Sequence, residues 1–483
     1  MQYKWTVLTV TTVGVLMSGI DSRIVVIGLP TVAAALGADA EQAIWFTQAY
    51  IIGSTVALLI LGRVSDMYGR VKIYNLGFAI FTFGSFLTSI SPSPDFFIAA
   101  RIFQGLGSAA LFSNSAAIIT DAFPHGELGN ALGINSVAFR AGSMFGLTLS
   151  GLILAFLDWR YLFYVNIPVG IFGTLWARAR LREQSEPERT APMDWLGFVS
   201  FSCLITFALL SLTFAAYGIG DAKVTVSFAL LAAASLVAFI RVERRHAKPL
   251  LDLGLLRIRE FTGGVVAQLI NAMAWGAFIL LISLYLQLVK GLSPLQAGIA
   301  IVPFDIALLA VGPLSGRLSD RFGTRLFATA GLAVISLSLV AMSTLDPTTP
   351  YTTLFAFLVL GGVGAGLFVS PNMSSVMGSV PPHRRGVASG FRATFFNVGF
   401  VLSFNIVILV LTLFLPYALI TQIISSQGVL STISTDALRF SRALDDVFLV
   451  LAVINTVAIV PSLLRGPRVE MGSEGPGHWA EPD

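Results

Sequence analysis

The sequence has 483 residues, of which 55% are hydrophobic and only 12% are charged, and its formal net charge is +4. Soluble domains carry about 25% charged residues, so this composition excludes a water-soluble globular protein. The basic balance is also found in nucleic-acid-binding proteins, but the positions of the charges account for it without a polyanionic partner, and no nucleic acid is expected.

Long apolar segments recur along the whole chain, and each is close to the ~20 residues that a membrane-spanning helix needs. Fourteen segments are predicted to span a bilayer: 7–28, 42–61, 73–90, 95–118, 129–155, 161–178, 195–216, 224–241, 261–288, 294–316, 325–344, 351–374, 386–413 and 446–465. The first is too long for the apolar part of a signal peptide and is expected to remain in the mature protein. The single cysteine, Cys203, excludes an intrachain disulfide.

The distribution of Lys and Arg predicts the orientation. An even number of spans places both termini on one side, and 21 of the 30 basic residues fall in the segments on that side, against five in the opposite loops. Basic loops remain in the cytoplasm. We therefore expect a multi-pass protein of the cytoplasmic (plasma) membrane, surrounded by the lipid bilayer, with both termini in the cytoplasm.

An internal repeat divides the chain. The loop at 62–70 recurs 254 residues later at 316–324, and glycines 105 and 107 match glycines 362 and 364 at an offset of 257. Two parallel halves with a substrate site between them are a recurrent transporter design. The predicted organisation is an N-terminal six-helix bundle (1–180), a linker with two extra transmembrane helices (181–260), a C-terminal six-helix bundle (261–465) and a disordered cytoplasmic tail (466–483).

The repeated loops have the composition of a conformational latch. In the first copy, Gly62 and Gly69 permit a tight turn. Asp66 is expected to accept hydrogen bonds from N–H groups at a helix start, and Arg70 to face the anionic inner leaflet. The latch residues of the second copy are Gly316, Asp320, Arg321 and Gly323, and Thr324 stands at the position that matches Arg70. Such loops can hold helix ends together in one state and release them in another; a purely topogenic anchor is the alternative.

These loops resemble the signature loop of the major facilitator superfamily, and further segments resemble its fourteen-helix drug–proton antiporter branch of multidrug efflux proteins. The segments are Asp21–Pro30, Arg101–Gly107, Trp159–Phe163 with Asn166, Pro168 and Gly170, Pro249–Leu253, and Tyr285–Gln287 with Gly291, Pro294 and Gly298. The resemblance covers nearly the whole chain. It implies an all-α membrane protein with two six-helix bundles plus two linker helices, and it implies proton-coupled secondary transport. The sequence departs from the family at Leu147, where the antiporter motif has proline, and at Arg23, where threonine is common.

Asp21 and Asp305 are the two acids that lie well inside predicted spans. A charge near the bilayer centre costs roughly 2.5 kcal/mol or more, so each is a candidate functional residue. Helical rise places Asp21 and Arg101 at nearly equal depth, and they can meet if their helices are neighbours, as the resemblance implies. We hypothesise that Asp21 carries the proton and that Arg101 stabilises its ionised form until protonation or substrate breaks the pair. A static buried ion pair is the alternative.

Asp305 lies near mid-depth and is a candidate second proton site or cation-binding group. Pairing with an arginine and an error in the predicted register are the alternatives. Arginines within the spans exceed the acids by two, which fits an anionic or zwitterionic cargo and equally fits contacts with lipid headgroups. Arg140 is deep, Arg23 is shallow enough to reach the outer headgroups, and Arg392 is positioned to extend toward the cytoplasmic interface.

Polar and aromatic residues within the spans predict a substrate cavity. The candidates are Asn114, Arg140, Gln268, Asn271, Trp275 and Asn372. Gln268, Asn271 and Trp275 are three and four residues apart, which places them on one face of the ninth span. Such a face suits a loosely selective pocket for an amphiphilic molecule. Hydrogen bonding between helices is the alternative for the amides.

The favoured function is a proton-coupled antiporter that exports amphiphilic drugs or metabolites by alternating access, with protons and a small molecule as partners, acting as a monomer. The alternatives are an exporter of organic anions or lipid-like molecules on the same fold, a channel, and a non-transporting membrane scaffold. No enzyme, cofactor or metal site is expected, because the sequence has no phosphate-binding loop, no His-Glu-x-x-His motif and no Cys/His cluster.

Overall fold

The computed structural model describes residues 3–184, 194–217, 222–246, 251, 253–380, 385–415 and 435–465. Within these residues the regular structure is helical, which confirms the predicted all-α class. The helices are α1 (Tyr3–Leu36), α2 (Ala40–Tyr68), α3 (Arg70–Ser89), α4 (Pro94–Ala122), α5 (His125–Phe156), α6 (Tyr161–Tyr164), α7 (Asn166–Arg180), α8 (Trp195–Tyr217), α9 (Ala222–Glu243), α10 (Arg259–Trp275), α11 (Phe278–Leu284), α12 (Pro294–Phe322), α13 (Thr324–Met342), α14 (Tyr351–Gly378), α15 (Arg385–Phe414), α16 (Thr435–Val457) and α17 (Ile459–Leu463). A 3-10 turn (Leu253–Arg257) precedes α10, and a π-helical turn (Tyr285–Val289) continues α11. The predicted tail, 466–483, lies outside the described residues.

Twelve helices in the described ranges are long and apolar enough to cross a membrane. The count is 13 if the two parts of the bent helix α2 are taken as one span. α2 bends by 48° between its parts Glu41–Leu58 and Ile60–Tyr68. The predicted sixth span coincides with the short helices α6 and α7, which meet at Val165. Helix ends extend beyond the predicted bounds, and α1 has 34 residues. Hydropathy detects the apolar part of a helix and misses its polar ends.

Short polar motifs that contain serine start two helices, α4 and α12. Ser93 accepts a hydrogen bond from the Phe96 N–H before α4, and Ser293 forms a capping box with Gln296 before α12. Proline follows each serine at the first helical position, where its missing N–H has no cost. These caps satisfy backbone donors that would otherwise be exposed at the helix start.

The two copies of the repeated loop have the same backbone conformation. Gly69 separates α2 from α3 with φ 109° and ψ 129°, and Gly323 separates α12 from α13 with φ 94° and ψ 135°. Side chains with a Cβ rarely adopt such positive φ values, so glycine is required at both positions. The internal repeat therefore extends from sequence to local structure.

Helix contacts form two groups. In the first, α1 packs on α5, and α4 lies against both α2 and α3. In the second, α14 lies against both α12 and α13, and α10 packs on α15. We name these groups the N-terminal bundle (α1–α7) and the C-terminal bundle (α10–α17). Helices α8 and α9 pack on each other, and α8 also contacts α15 and α2.

The two ends of the bundles are named here by the residues found there. The Gly69 end is where α2 meets α3, where α1 begins and where α15 begins. The Pro94 end is where α3 meets α4 and where α12 begins. Because α5 runs toward the Pro94 end and α12 runs away from it, these two helices are antiparallel.

Helix pairs α5–α12 and α2–α15 join the bundles. The α5–α12 contact is close at Gly298, where an added Cβ would lie 2.8 Å from the carbonyl oxygen of Leu147. Gln287, in the π-helical turn, donates to the carbonyl oxygen of Ile27 in α1 at 3.2 Å. Both contacts lie toward the Pro94 end, so the bundles are in direct contact there.

Candidate functional site

The two residues predicted to meet at equal depth form a buried ion pair. Arg101 Nη1, from α4, donates to Asp21 Oδ2, from α1, at 2.6 Å. The side chains are 1% and 0% exposed, respectively. Asp21 therefore points into the N-terminal bundle and away from lipid.

Two amides complete the environment of this carboxylate. Gln104 Nε2 donates to Asp21 Oδ1 at 2.9 Å, and Asn166 Nδ2, from α7, donates to the same oxygen at 2.8 Å. With Arg101, the carboxylate accepts three hydrogen bonds, an environment that stabilises the charged form. Sequence reasoning did not single out these amides, although Gln104 is one helical turn from Arg101 and both lie in the segments that carry the family resemblance.

Arg101 is equally well satisfied. Its Nε donates to the carbonyl oxygen of Phe46 at 3.2 Å, and its Nη1 donates to Gln104 Oε1 at 2.6 Å. The guanidinium lies 4.4 Å from the centre of the Tyr50 ring. Because breaking a buried pair leaves an uncompensated charge, any event that neutralises Asp21 would destabilise this arrangement.

A second ion pair joins the two bundles. Arg23 Nη1, from α1, lies 3.2 Å from Asp305 Oδ1, from α12. The expectation that Arg23 reaches the outer headgroups is therefore wrong, because the approach of α12 to α1 brings an acidic partner within reach. Asp305 itself is buried.

Two more arginines lie beside this inter-bundle pair. Arg140, from α5, is within electrostatic range of both Arg23 and Asp305. Arg392, from α15, is within range of Arg140, and its Nε is buried without a hydrogen-bond partner. Arg392 is partly exposed, and its extension toward the membrane interface stays a prediction.

The first signature loop is held by charges at the Gly69 end. Arg70 Nη1 donates to Asp121 Oδ1, at the end of α4, at 2.7 Å, and Arg70 Nε donates to Asp66 Oδ1 at 3.1 Å. Asp66 therefore receives a guanidinium and not the helix-start N–H groups expected from sequence. Glu183, after α7, accepts from the Lys72 N–H at 3.0 Å. These bonds fasten α2, α3, α4 and the chain after α7 together.

The second signature loop has a different environment. A Cβ added at Gly316 would lie 2.7 Å from Ser370 Oγ, whereas a Cβ at Gly62 would meet open space. Arg321 lies in the last turn of α12, and no described residue forms a hydrogen bond or an ion pair with it. The side chain of Asp320 is outside the described part of the structure. The two loops share a backbone conformation, but Arg70, which makes the ion pairs of the first loop, is matched by the uncharged Thr324 in the second.

Three of the predicted cavity residues belong to two hydrogen-bonded groups inside the C-terminal bundle. Asn271 Nδ2 donates to Asn455 Oδ1 at 2.7 Å, and Asn372 Nδ2 lies 3.4 Å from Gln268 Oε1. Arg465 donates to Asn372 Oδ1. The contacts that the structure shows for these amides are thus hydrogen bonds between helices, the alternative raised above.

Trp275 and Asn114 have different surroundings. Trp275 stacks on Phe278 with ring centres 4.0 Å apart and also contacts Phe304, so it belongs to an aromatic cluster. Asn114 Nδ2 donates to the carbonyl oxygen of Ala110 at 2.8 Å, and its Oδ1 is buried without a partner among the described residues. The structure does not bring the predicted cavity residues together as one group.

Hydrogen bonds to the loop between α13 and α14 hold the π-helical turn that carries Gln287. Tyr285 donates to the carbonyl oxygen of Asp346 at 2.7 Å, and Lys290 donates to that of Pro347 at 2.7 Å. Partial burial lowers the pKa of Lys290, and the hydrogen bond from the Thr348 hydroxyl lowers the pKa of Asp346. This network fastens the turn to the C-terminal bundle, so the contact of Gln287 with α1 connects the two bundles.

The family model of the Major Facilitator Superfamily matches residues 11–404 and 264–476. The chain is 33% identical over 405 residues to the riboflavin transporter RibZ of Clostridioides difficile (strain 630), covering 83% of this chain and 87% of that protein. It is 32% identical over 403 residues to the multidrug resistance protein Stp of Mycobacterium tuberculosis (strain ATCC 25618 / H37Rv), covering 83% and 74%.

Among solved structures, an auto-inhibited peptide transporter of the POT family superposes with a TM-score of 0.67, covering 99% of each chain at 14% identity. At this identity the likeness concerns the fold alone. With the family match and the relatives, it confirms the transporter fold and the relation to multidrug resistance proteins. The chain therefore belongs to the Major Facilitator Superfamily and is a membrane transporter, not an enzyme.

Proposed function

We propose that this transporter is a proton-coupled antiporter that exports amphiphilic drugs or metabolites by alternating access. The observation that carries the proposal is the buried pair of Asp21 and Arg101, whose charges compensate each other inside the N-terminal bundle. An intramembrane acid that can gain a proton is the simplest device for coupling transport to a proton gradient.

Protonation has a direct physical consequence at this pair. A neutral Asp21 no longer compensates the guanidinium of Arg101, which is 1% exposed. Removing one partner of a buried pair costs roughly 3–5 kcal/mol. A conformation in which Arg101 reaches water or another acid then becomes favoured, and the proton on Asp21 biases the access state.

The proposed moving parts are an N-terminal bundle within 1–180 and a C-terminal bundle within 261–465, with the helices of 181–260 as a linker. Cargo would pass between the bundles. The Asp305–Arg23 pair links the bundles and is proposed as a second charge-sensitive contact. The hydrogen bonds of Arg70 would hold the helices at the Gly69 end of the N-terminal bundle together. The excess of Lys and Arg in the loops of the Gly69 end supports a cytoplasmic position for both termini.

The test uses everted membrane vesicles, whose cytoplasmic face is outward, with ethidium and riboflavin as cargo. Riboflavin is included because one relative is a riboflavin transporter. The wild-type protein should accumulate cargo when an inward-acid gradient is present, and Asp21→Asn should lose this accumulation. Accumulation by everted vesicles also tests the export direction and the proposed orientation.

Two controls separate coupling from folding. Asp158→Asn removes a carboxylate that is 51% exposed and pairs with Arg160 in a loop, and it should leave accumulation unchanged. Exchange of labelled for unlabelled cargo without a gradient should persist in Asp21→Asn. Gradient-driven accumulation that survives in Asp21→Asn would remove this residue from the coupling mechanism.

A further inference from the structure

A group of arginines between the bundles is not explained by proton coupling. We propose that Arg23, Arg140 and Arg392 form a binding site for an anionic group, a carboxylate or a phosphate, of the transported molecule. The inference rests on the proposed transport function and names the charge class of its cargo.

The helix register places Arg140 in the path between the bundles. Leu147 of α5 contacts Gly298 of α12, and the two helices are antiparallel. Arg140 lies seven residues from Leu147 on α5, and Asp305 lies seven residues from Gly298 on α12. Both are therefore about 10 Å nearer the Gly69 end than that contact. Seven residues are close to two helical turns, so both side chains lie on the same facing surfaces as the Leu147–Gly298 contact.

The charges in this region do not balance. The guanidinium of Arg140 lies within electrostatic range of Arg23 on one side and of Arg392 on the other. Among the described residues, Asp305 is the carboxylate that faces this group. An excess of two positive charges follows. An uncompensated charge at membrane depth is unfavourable, so the arrangement lowers stability unless an anion occupies it.

Hydrogen-bond donors of Arg140 and Arg392 are also unused. No described residue forms a hydrogen bond or an ion pair with Arg140, and Arg392 Nε is buried without a partner. Arg101 provides the contrast, because two of its nitrogens donate to protein oxygens and one of these also contacts a carboxylate. In contrast to Arg101, Arg140 and Arg392 therefore retain donors that no described residue occupies.

The chemistry of the group selects its ligand. Guanidinium groups bind carboxylates and phosphates through paired, charge-assisted hydrogen bonds. Arg140 belongs to the N-terminal bundle and Arg392 to the C-terminal bundle, where the neighbouring Ala393 packs against Ala57 and Leu58 of α2. An anion held by both arginines would contact both bundles, as a cargo must if its binding is to favour one access state.

The same chemistry is offered by an anionic lipid headgroup, so the experiment has two arms. The purified protein is placed in phosphatidylcholine nanodiscs, and binding is measured for pyrenebutyrate and for its trimethylammonium analogue, which share one aromatic skeleton. The measurement is repeated in nanodiscs that contain phosphatidylglycerol. No proton gradient is present, so the result is independent of the coupling role of Asp21.

The wild-type protein should bind pyrenebutyrate roughly tenfold more tightly than the ammonium analogue in phosphatidylcholine. The preference should disappear in Arg140→Gln and in Arg392→Gln, persist in part in Arg140→Lys, and remain in Arg160→Gln, which changes an arginine in an exposed loop. Arg140→Lys and Arg392→Gln keep the test valid if Arg140→Gln does not fold.

Equal binding of the two probes, or a preference that survives in both glutamine variants, would overturn the proposal. Loss of the preference only when phosphatidylglycerol is present assigns the site to a lipid headgroup and overturns the cargo assignment. A preference for the cationic probe would overturn the anion site but not proton-coupled transport. Cargo accumulation that does not depend on the proton gradient would overturn proton coupling but not the anion site.

Discussion

At the scale of single residues, two intramembrane ion pairs differ in what they connect. Asp21 and Arg101 lie within one bundle and are surrounded by amides and aromatic rings. Asp305 and Arg23 connect the two bundles and are less enclosed, with side chains that are 9% and 23% exposed. Protonation of the first pair would therefore change the charge inside one bundle. The second pair would break when the bundles separate.

A double-mutant cycle on the first pair should reveal strong coupling. Asp21→Asn and Arg101→Met should each lower the free energy of unfolding by roughly 3–5 kcal/mol, because each leaves the other charge buried and uncompensated. The double variant should lose less than the sum. Chemical denaturation in detergent provides the measurement.

The exposed pair of Asp158 and Arg160 is the matched control for that cycle. Its nitrogen and oxygen atoms are 3.2 Å apart, but both side chains are solvent-exposed. Its coupling energy should stay below about 1 kcal/mol. Additive effects of the two substitutions at Asp21 and Arg101 would mean that the buried pair contributes no more than a surface contact.

At the scale of elements, the repeated loops show how one backbone shape serves two environments. Gly69 and Gly323 have similar positive φ values, yet the carboxylate of Glu183 lies against Gly69 and open space surrounds Gly323. Arg70 joins the first loop to α4, whereas the matching position of the second loop is Thr324, which carries no charge. The repeat thus preserves the turn, while the contacts around it have diverged.

Substitutions at three glycines should separate these effects. Gly323→Ala should cost about 1–3 kcal/mol from backbone strain alone. Gly69→Ala should cost slightly more, because its Cβ would displace the exposed carboxylate of Glu183 from the Lys72 N–H. Gly62→Ala is the control: it lies within α2, faces open space and should be neutral or slightly stabilising. Thermal unfolding of the detergent-solubilised protein ranks the three, and equal losses at Gly62 and Gly69 would contradict the assignment.

At the scale of the whole molecule, contact between the bundles at the Pro94 end defines the state described here. The Gly298–Leu147 approach and the hydrogen bond from Gln287 to Ile27 join helices of opposite bundles. A transporter that works by alternating access must break such contacts in every cycle. Closure at this end is therefore expected to be reversible.

Cross-linking tests this expectation in a Cys203→Ser background. A disulfide between Leu147→Cys and Gly298→Cys should reduce cargo flux by an order of magnitude or more, and a reducing agent should restore it, because the bond prevents separation of α5 from α12. The control pair, Leu16→Cys with Gly142→Cys, joins two helices of the N-terminal bundle that also approach closely. Its disulfide should leave flux intact, and inhibition by both pairs would argue against rigid-bundle motion.

Much of this architecture was predictable from sequence because its causes are local or depend on composition. Apolar length predicts the helices, and the repeated Gly-containing loop predicts the matching turns at Gly69 and Gly323. The meeting of Asp21 and Arg101 was predictable because helical rise sets depth once the neighbours are known. The partners of Arg23 and Arg70 were not, since Asp305 and Asp121 come from distant helices whose rotation about their own axes hydropathy does not specify.

The sequence by itself determined that this protein spans a membrane many times, that its two halves repeat, and which acids and arginines lie at membrane depth. The bilayer imposes these features on each segment separately, because every span must be apolar, helical and sparing in charge. Only the tertiary structure decided which charges neutralise each other: Arg101 is compensated, whereas Arg140 is left without a hydrogen-bonding partner among the described residues. That outcome depends on the packing of helices from different parts of the chain, and the charge of the cargo is expected to follow from it.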